Sequence, residues 1–283
     1  MAKVYEALRR AEEERKRRTG DESSTVQPLD VPAEPPARKA PAADASKATI
    51  RDRLRLRGAG RDTSAEVNKR RISVLQPDSY VAEQFRALRG RIDAIASQRP
   101  IRSLCVSSPL AGEGKTTASI NLAAVTAMSV GRRVLLIDCD MRRPKVHQSL
   151  GLRPEFGLAE VLTQQVSLEQ AVIAVEGMNL DVLAVRGRPA NPSELLGSPA
   201  MHQLMEEVTA RYDRVILDTP AALGVPDTKA VAELCDGVIV VVRADYTSQQ
   251  DVEAALDILD RRRLLGLVLN GAAVERGRYG YSS

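Results

Sequence analysis

A chain of 283 residues with 43% apolar side chains has material for one large buried core with an appendage besides. Aromatics make up only 3%, so that core must come from Val, Leu, Ile and Ala, which favours a parallel α/β sheet over a β-sandwich. The net charge of +4 is lodged in residues 1–75, with 18 Lys and Arg against 12 Asp and Glu, and Tyr5 is the single aromatic among those basic residues, which argues against a nucleic-acid footprint.

Residues 1–18 (MAKVYEALRRAEEERKRR) read as a short amphipathic helix with Val4, Leu8 and Ala11 on one stripe, either docking a partner or simply solvated. Residues 19–71 are rich in Pro, Ala and charge and cannot bury enough apolar surface to offset ordering, so a flexible linker is expected. Within it Arg51, Arg53, Arg55 and Arg57, with Lys69, Arg70 and Arg71, either touch anionic lipid as a peripheral membrane contact or stand in water. No apolar stretch reaches the roughly 18 residues of a membrane span and the N-terminus is no signal peptide, so a cytoplasmic protein is expected.

Over 72–274 helical and strand patterns alternate. SYVAEQFRALRGRIDAIA (79–96) has helical period; IRSLCVSS (101–108) is a buried-strand run, followed by a Gly-rich turn and the helix KTTASINLAAVTAMS. Further strands are expected at 132–140, 180–185, 213–220, 236–242 and 264–270, separated by helices. This pattern predicts a three-layer α/β sandwich around a mostly parallel sheet. Cys105, Cys139 and Cys235 sit in or beside apolar runs without a CxxC pair, and read as buried thiols rather than zinc ligands or disulfides.

The chemistry centres on SSPLAGEGKTT (107–117), between the first strand and its helix. Gly112 and Gly114 let the backbone N–H groups around Glu113 turn toward phosphate oxygens, and the helix start adds its positive end. Lys115 reaches the β- and γ-phosphates, Thr116 ligates Mg²⁺, and Thr117 follows in the same phosphate-facing turn. Pro109 stands where the pattern G-x-x-x-x-G-K-S/T wants its first Gly, and the strand–loop–helix context compensates. Asp138 and Asp140 follow VLLI and Asp218 follows VIL, so three carboxylates are expected to converge near the metal at the carboxyl ends of the strands. The bound ligand is expected to be a purine nucleoside triphosphate with Mg²⁺, in a P-loop NTPase fold.

VLLIDCDMRRP resembles the second phosphate-site motif of the bacterial tyrosine kinases of exopolysaccharide and capsule synthesis, and VILDTPAALGVPD resembles their Walker B segment. The resemblance runs over about 72–283 and takes in RPANPSELLGSPAM and EQFRALR, whose Glu83, Arg86 and Arg89 match the E-x-x-R-x-x-R motif of ring assembly. KVYEALRRAEEE is similar to the start of the exosortase-associated subgroup.

The resemblance implies an ATP-dependent tyrosine autokinase that forms a homo-oligomer, a ring, and answers to a membrane-bound polysaccharide chain-length or co-polymerase protein. It implies that Lys115 grips the phosphates, Thr116 binds Mg²⁺ directly and Asp218 through water, and Asp138 and Asp140 orient metal and nucleophile. Asp138 would accept the tyrosine proton and Asn270 would face the adenine. Tyr279 and Tyr281, in the tail 275–283 (ERGRYGYSS), are the candidate phosphoacceptors. The rival reading is an ATPase switch of the partition or division-site type without kinase activity. Those carry a second lysine five residues before the phosphate-gripping one, where this chain has Leu110.

Overall fold

The structure, a computed structural model, describes residues 76–272. The helix expected at 1–18, the linker 19–71 and the tail with Tyr279 and Tyr281 lie outside the described residues.

Helix α1 (Tyr80–Ala96) starts at Ser79, whose hydroxyl accepts from the Ala82 amide at 3.2 Å. Its stripe of Ala82, Phe85, Leu88, Ile92 and Ile95 recurs at helical spacing and turns toward the core. Strand β1 (Ser103–Ser107) follows, then α2 (Lys115–Ala127) and β2 (Val134–Asp138). Three short helices come next: α3 (Val146–Leu150), α4 (Leu158–Leu162) and α5 (Leu168–Ala171). The rest runs β3 (Val172–Ala174), β4 (Leu180–Leu183), α6 (Pro192–Leu196), α7 (Pro199–Arg211), β5 (Arg214–Asp218), α8 (Asp227–Glu233), β6 (Gly237–Arg243), α9 (Gln249–Ile258) and β7 (Leu264–Asn270).

The strands form one sheet in the order β3-β4-β2-β5-β1-β6-β7, parallel except for the β3–β4 pair. Every residue of β1, β2 and β5 is buried, which is why these strands read as unbroken apolar runs rather than alternating ones. From β1 the chain moves to β2 on one side, and from β5 it moves to β6 on the other, so the connections part at the carboxyl ends of β1 and β5. Ligands of open α/β sheets lie in the crevice that such a reversal leaves.

Helix α2 is buried on nearly all sides, because it lies against the sheet and is also covered by α1. Its Ala, Ser and Thr residues permit that close packing, and the polar ones satisfy themselves locally: Thr126 Oγ1 donates to the Leu122 carbonyl at 2.6 Å and Asn121 Nδ2 to that of Thr117 at 2.7 Å. At its C-terminal end Arg89 Nη1 donates to the Val125 carbonyl at 2.6 Å, a cation on the negative end of the helix. Arg86 is also engaged within the chain, pairing with Glu83 and donating to the Pro77 carbonyl at 2.7 Å.

The three cysteines are free and buried, as expected, and burial pushes the Cys105 thiol up to about 12. Among the described residues no helix is long and apolar enough to cross a membrane.

Candidate active site at the phosphate loop

The loop between β1 and α2 is built on its own side chains as much as on its glycines. Ser108 Oγ donates to the Leu110 carbonyl at 2.7 Å, and the Leu110 amide donates to Glu113 Oε2 at 2.7 Å. The other oxygen of Glu113 takes the Thr247 hydroxyl beyond β6. Glu113 is completely buried, so its side chain braces the loop from inside and only its backbone is left for a phosphate. Behind Pro109 the loop is tied down by the Ala222 and Leu223 amides, which donate to the carbonyls of Ser108 and Pro109 at 2.8 and 3.1 Å. Those ties hold the turn where the usual first Gly is missing.

Gly114 has φ +96°, and a Cβ there would meet Asn270 Nδ2 at 2.2 Å. That amide, at the end of β7, donates to the Glu113 carbonyl at 2.8 Å. Asn270 therefore pins the loop backbone, and both the conformation and the space at Gly114 require a residue without a side chain.

Lys115 opens α2 and its Nζ lies 3.0 Å from Asp140 Oδ2. Burial alone would lower the ammonium pKa, but Asp218, Asp140 and Asp138 together raise it above the ordinary lysine value. Asp138 and Asp218 are register partners on the adjacent parallel strands β2 and β5, so they emerge side by side. Asp138 is held on both oxygens: the Asp140 amide donates to Oδ1 at 3.1 Å, and the Lys145 and Val146 amides to Oδ2 at 3.2 and 3.1 Å. Burial, then the neighbouring Asp218 charge, drives its pKa well above the usual carboxylate range despite those amides.

Asp218 is also raised, first by burial, with Lys115 and the Thr116 and Ser119 hydroxyls pulling the other way. Its Oδ1 lies 3.0 Å from Ser119 Oγ, while its Oδ2 is buried with no hydrogen-bond partner among the described residues. A buried oxygen without a donor, on a carboxylate that interacts with the Thr116 hydroxyl and the Lys115 ammonium, fits a hydrated divalent cation. These residues thus fit ATP with Mg²⁺.

The three carboxylates lie within electrostatic reach of one another and of Lys115. Among the described residues no three acidic or His/Cys side chains form a closed metal cage. Their partners differ: Asp138 is occupied by amides, Asp140 by Lys115, and Asp218 keeps a free oxygen. Mg²⁺ bound to nucleotide is commonly held by one or two protein oxygens, the phosphates and water, and a closed cage is unnecessary. Sequence reasoning also missed Ser119, which lies one helical turn after Lys115 and reaches Asp218.

A strand, a glycine turn with its lysine at a helix start, and paired strand-end carboxylates define a phosphate-loop nucleotide-binding domain. The AAA domain family matches residues 101–264. The tyrosine-protein kinase YwqD of Bacillus subtilis is 38% identical over 213 residues, covering 74% of this chain and 90% of that protein. The putative tyrosine-protein kinase EpsB of Ralstonia nicotianae is 35% identical over 73% of this chain, which spans only 28% of EpsB. The kinase domain of the Escherichia coli tyrosine kinase ETK superposes with a TM-score of 0.68 at 32% identity, covering 75% of this chain and 83% of that one. The chain belongs to the bacterial tyrosine-protein kinase family.

Proposed function

We propose that the chain is an ATP·Mg²⁺-dependent protein-tyrosine autokinase that regulates exopolysaccharide synthesis or export under a membrane-bound chain-length or co-polymerase protein. The observation that carries this reading is the lysine-centred carboxylate site, with Asp218 Oδ2 buried and unclaimed beside Thr116. Its setting is that of a family whose members include named tyrosine kinases. The succinoglycan biosynthesis transport protein ExoP of Rhizobium meliloti, 34% identical over 215 residues, supports the polysaccharide context.

In this reading Lys115 exchanges Asp140 for the β- and γ-phosphates. The backbone of 112–117 cradles the phosphate oxygens, and Asn270 holds that cradle in shape next to the base. Thr116 would ligate Mg²⁺ and Asp218 would hold it through water. The metal supplies neutralisation of charge on the transferring phosphoryl group. Asp138, held by three amides, is oriented to accept the tyrosine proton, and its raised pKa suits that task.

We place the acceptors at Tyr279 and Tyr281. With γ-labelled ATP, Tyr279→Phe/Tyr281→Phe is expected to lose most phosphotyrosine. Full labelling would move the acceptor elsewhere. Tyr212 is a poor substitute, since it is buried and its hydroxyl donates to Asp181 at 2.8 Å, whereas Tyr80 and Tyr246 are exposed.

Ring assembly through Glu83, Arg86 and Arg89 belongs to the same proposal. Arg89→Glu would confound its test by removing the cation from the end of α2, at a cost of about 0.3–2 kcal/mol. Arg86→Glu gives up an exposed pair with Glu83 and a donation to the Pro77 carbonyl, about 1 kcal/mol, and is expected to lower the mass seen by light scattering with only a small fall in melting temperature. An unchanged mass would remove Arg86 from the interface.

A further inference from the structure

We infer that Arg142, Ser193 and Asp227 form a clamp that positions the carboxylates of Asp138 and Asp140, joining three separate sequence segments into one device. The catalytic arm of this inference rests on the kinase reading; its structural arm does not.

Asp227 opens α8 and is completely buried. Arg142, in the turn between β2 and α3, meets it with both sides of its fork: Nε donates to Oδ2 at 2.8 Å and Nη2 to Oδ1 at 3.2 Å. The same Nη2 donates to Ser193 Oγ at 2.8 Å, and Ser193 donates on to Asp227 Oδ1 at 2.6 Å. The triangle is closed, and each carboxylate oxygen of Asp227 has a donor. Burial would raise the Asp227 carboxyl, but Arg142 and Ser193 outweigh it and hold the group below its usual value.

What the clamp fixes is the backbone on either side of Arg142. Before it, the Asp140 amide donates to Asp138; after it, the Arg143 amide donates to Asp140 Oδ1 at 3.0 Å, and the Lys145 and Val146 amides donate to Asp138. Residues 140–146 thus wrap four N–H groups around two carboxylates of the site. Within this turn the hydrogen bonds of the Arg142 side chain go to Ser193 of α6 and Asp227 of α8. Arg142, Ser193 and Asp227 are therefore positioning residues acting through the turn.

The test compares full-length wild type with Arg142→Lys, Ser193→Ala and Asp227→Asn by hydrogen–deuterium exchange and by steady-state kinetics. Arg142→Lys keeps a positive charge beside Asp227 but cannot make the fork, so it remains informative if Asp227→Asn does not fold. Amides of 140–146 are expected to exchange roughly tenfold faster in Arg142→Lys and Asp227→Asn, with α2 unchanged. The kcat for phosphotyrosine formation should fall about 10–100-fold while KM for ATP stays within about twofold. Wild-type exchange in both variants overturns the clamp. Faster exchange at unchanged kcat overturns its role in positioning. Absence of phosphotyrosine in the wild type would sink the kinase reading instead, and the clamp would then be judged on exchange and ATP hydrolysis.

Discussion

Lys115→Met is expected to lower phosphotyrosine formation by at least about 10²–10³-fold, because it removes the cation that meets the charge developing on the phosphates. The structure adds an effect on stability that a simple loop residue would not have. Lys115 is mostly buried and is the counter-charge of Asp140, Asp218 and Asp138 in the absence of nucleotide. Breaking a buried pair by removing one partner leaves uncompensated charge, at about 3–5 kcal/mol in full burial. With the residual exposure here, about 2–3 kcal/mol, or roughly 4–12 °C in melting temperature, is expected.

The sign with pH follows from the raised lysine pKa. Stability from a group whose folded pKa is raised is fully present below its unfolded value and is lost as pH rises through the folded one. The whole effect is therefore read at pH 7 to 8. Lys115→Met/Asp140→Asn should recover much of the melting temperature and none of the activity. Circular dichroism melts and phosphotyrosine blotting measure the two arms. A folded Lys115→Met protein with wild-type phosphotyrosine would displace the site from this loop.

How far the sequence revealed this arrangement depends on how local each cause is. β1, β2, β5 and β6 were legible because strands buried on both faces must be apolar throughout, and β4 and the partly exposed edge strand β7 because their runs are mostly apolar all the same. Their ends were less so: the run 132–140 narrows to Val134–Asp138, since the chain leaves the ladder where Asp138 meets its amides. β3 was missed because three residues of antiparallel edge directly after a short helix carry no periodic signal. The glycines of the phosphate loop were legible because their need is conformational and local.

Other roles depended on partners distant in the chain. The backbone of Glu113 is expected to face the phosphates, and what the sequence did not reveal is its side chain, which turns inward to Leu110 and to Thr247, 134 residues away. The aspartates were grouped by position after strands, and their different states arise from the turn at 143–146, Lys115 and Ser119. Arg142 lay within a recognised motif, yet its partners are 51 and 85 residues further on. In the same way Glu83, Arg86 and Arg89 show helical spacing in the sequence, while the Val125 carbonyl that takes Arg89 is a consequence of how α1 packs on α2.

Asp218→Asn is expected to abolish phosphotyrosine formation and yet to make the nucleotide-free protein more stable. Asp218 is completely buried beside Asp138, with one oxygen lacking any donor among the described residues, and its pKa is raised because burial outweighs the pull of Lys115. A carboxyl whose folded pKa is raised holds its proton longer when folded. The penalty is thus absent below the unfolded pKa, grows as pH rises toward the folded one, and is complete above it. The neutral amide escapes that penalty and its oxygen keeps the Ser119 hydroxyl as donor, while its Nδ2 stands where the unpartnered oxygen stood and offsets part of the gain. A gain of about 1–3 kcal/mol is expected at pH 8, or roughly 2–12 °C, with none at pH 3. Saturating ATP and Mg²⁺ should reverse the order. A ligand at 100 times its Kd adds about 2.7 kcal/mol to the form that binds it, and Asp218→Asn has lost the oxygen that would hold the metal's water. Melting curves of both proteins at pH 8, with and without ATP·Mg²⁺, decide the matter. If Asp218→Asn melts no higher than wild type without nucleotide, the ionised Asp218 is not under electrostatic strain. If it gains as much from ATP·Mg²⁺ as wild type does, that oxygen does not serve the metal.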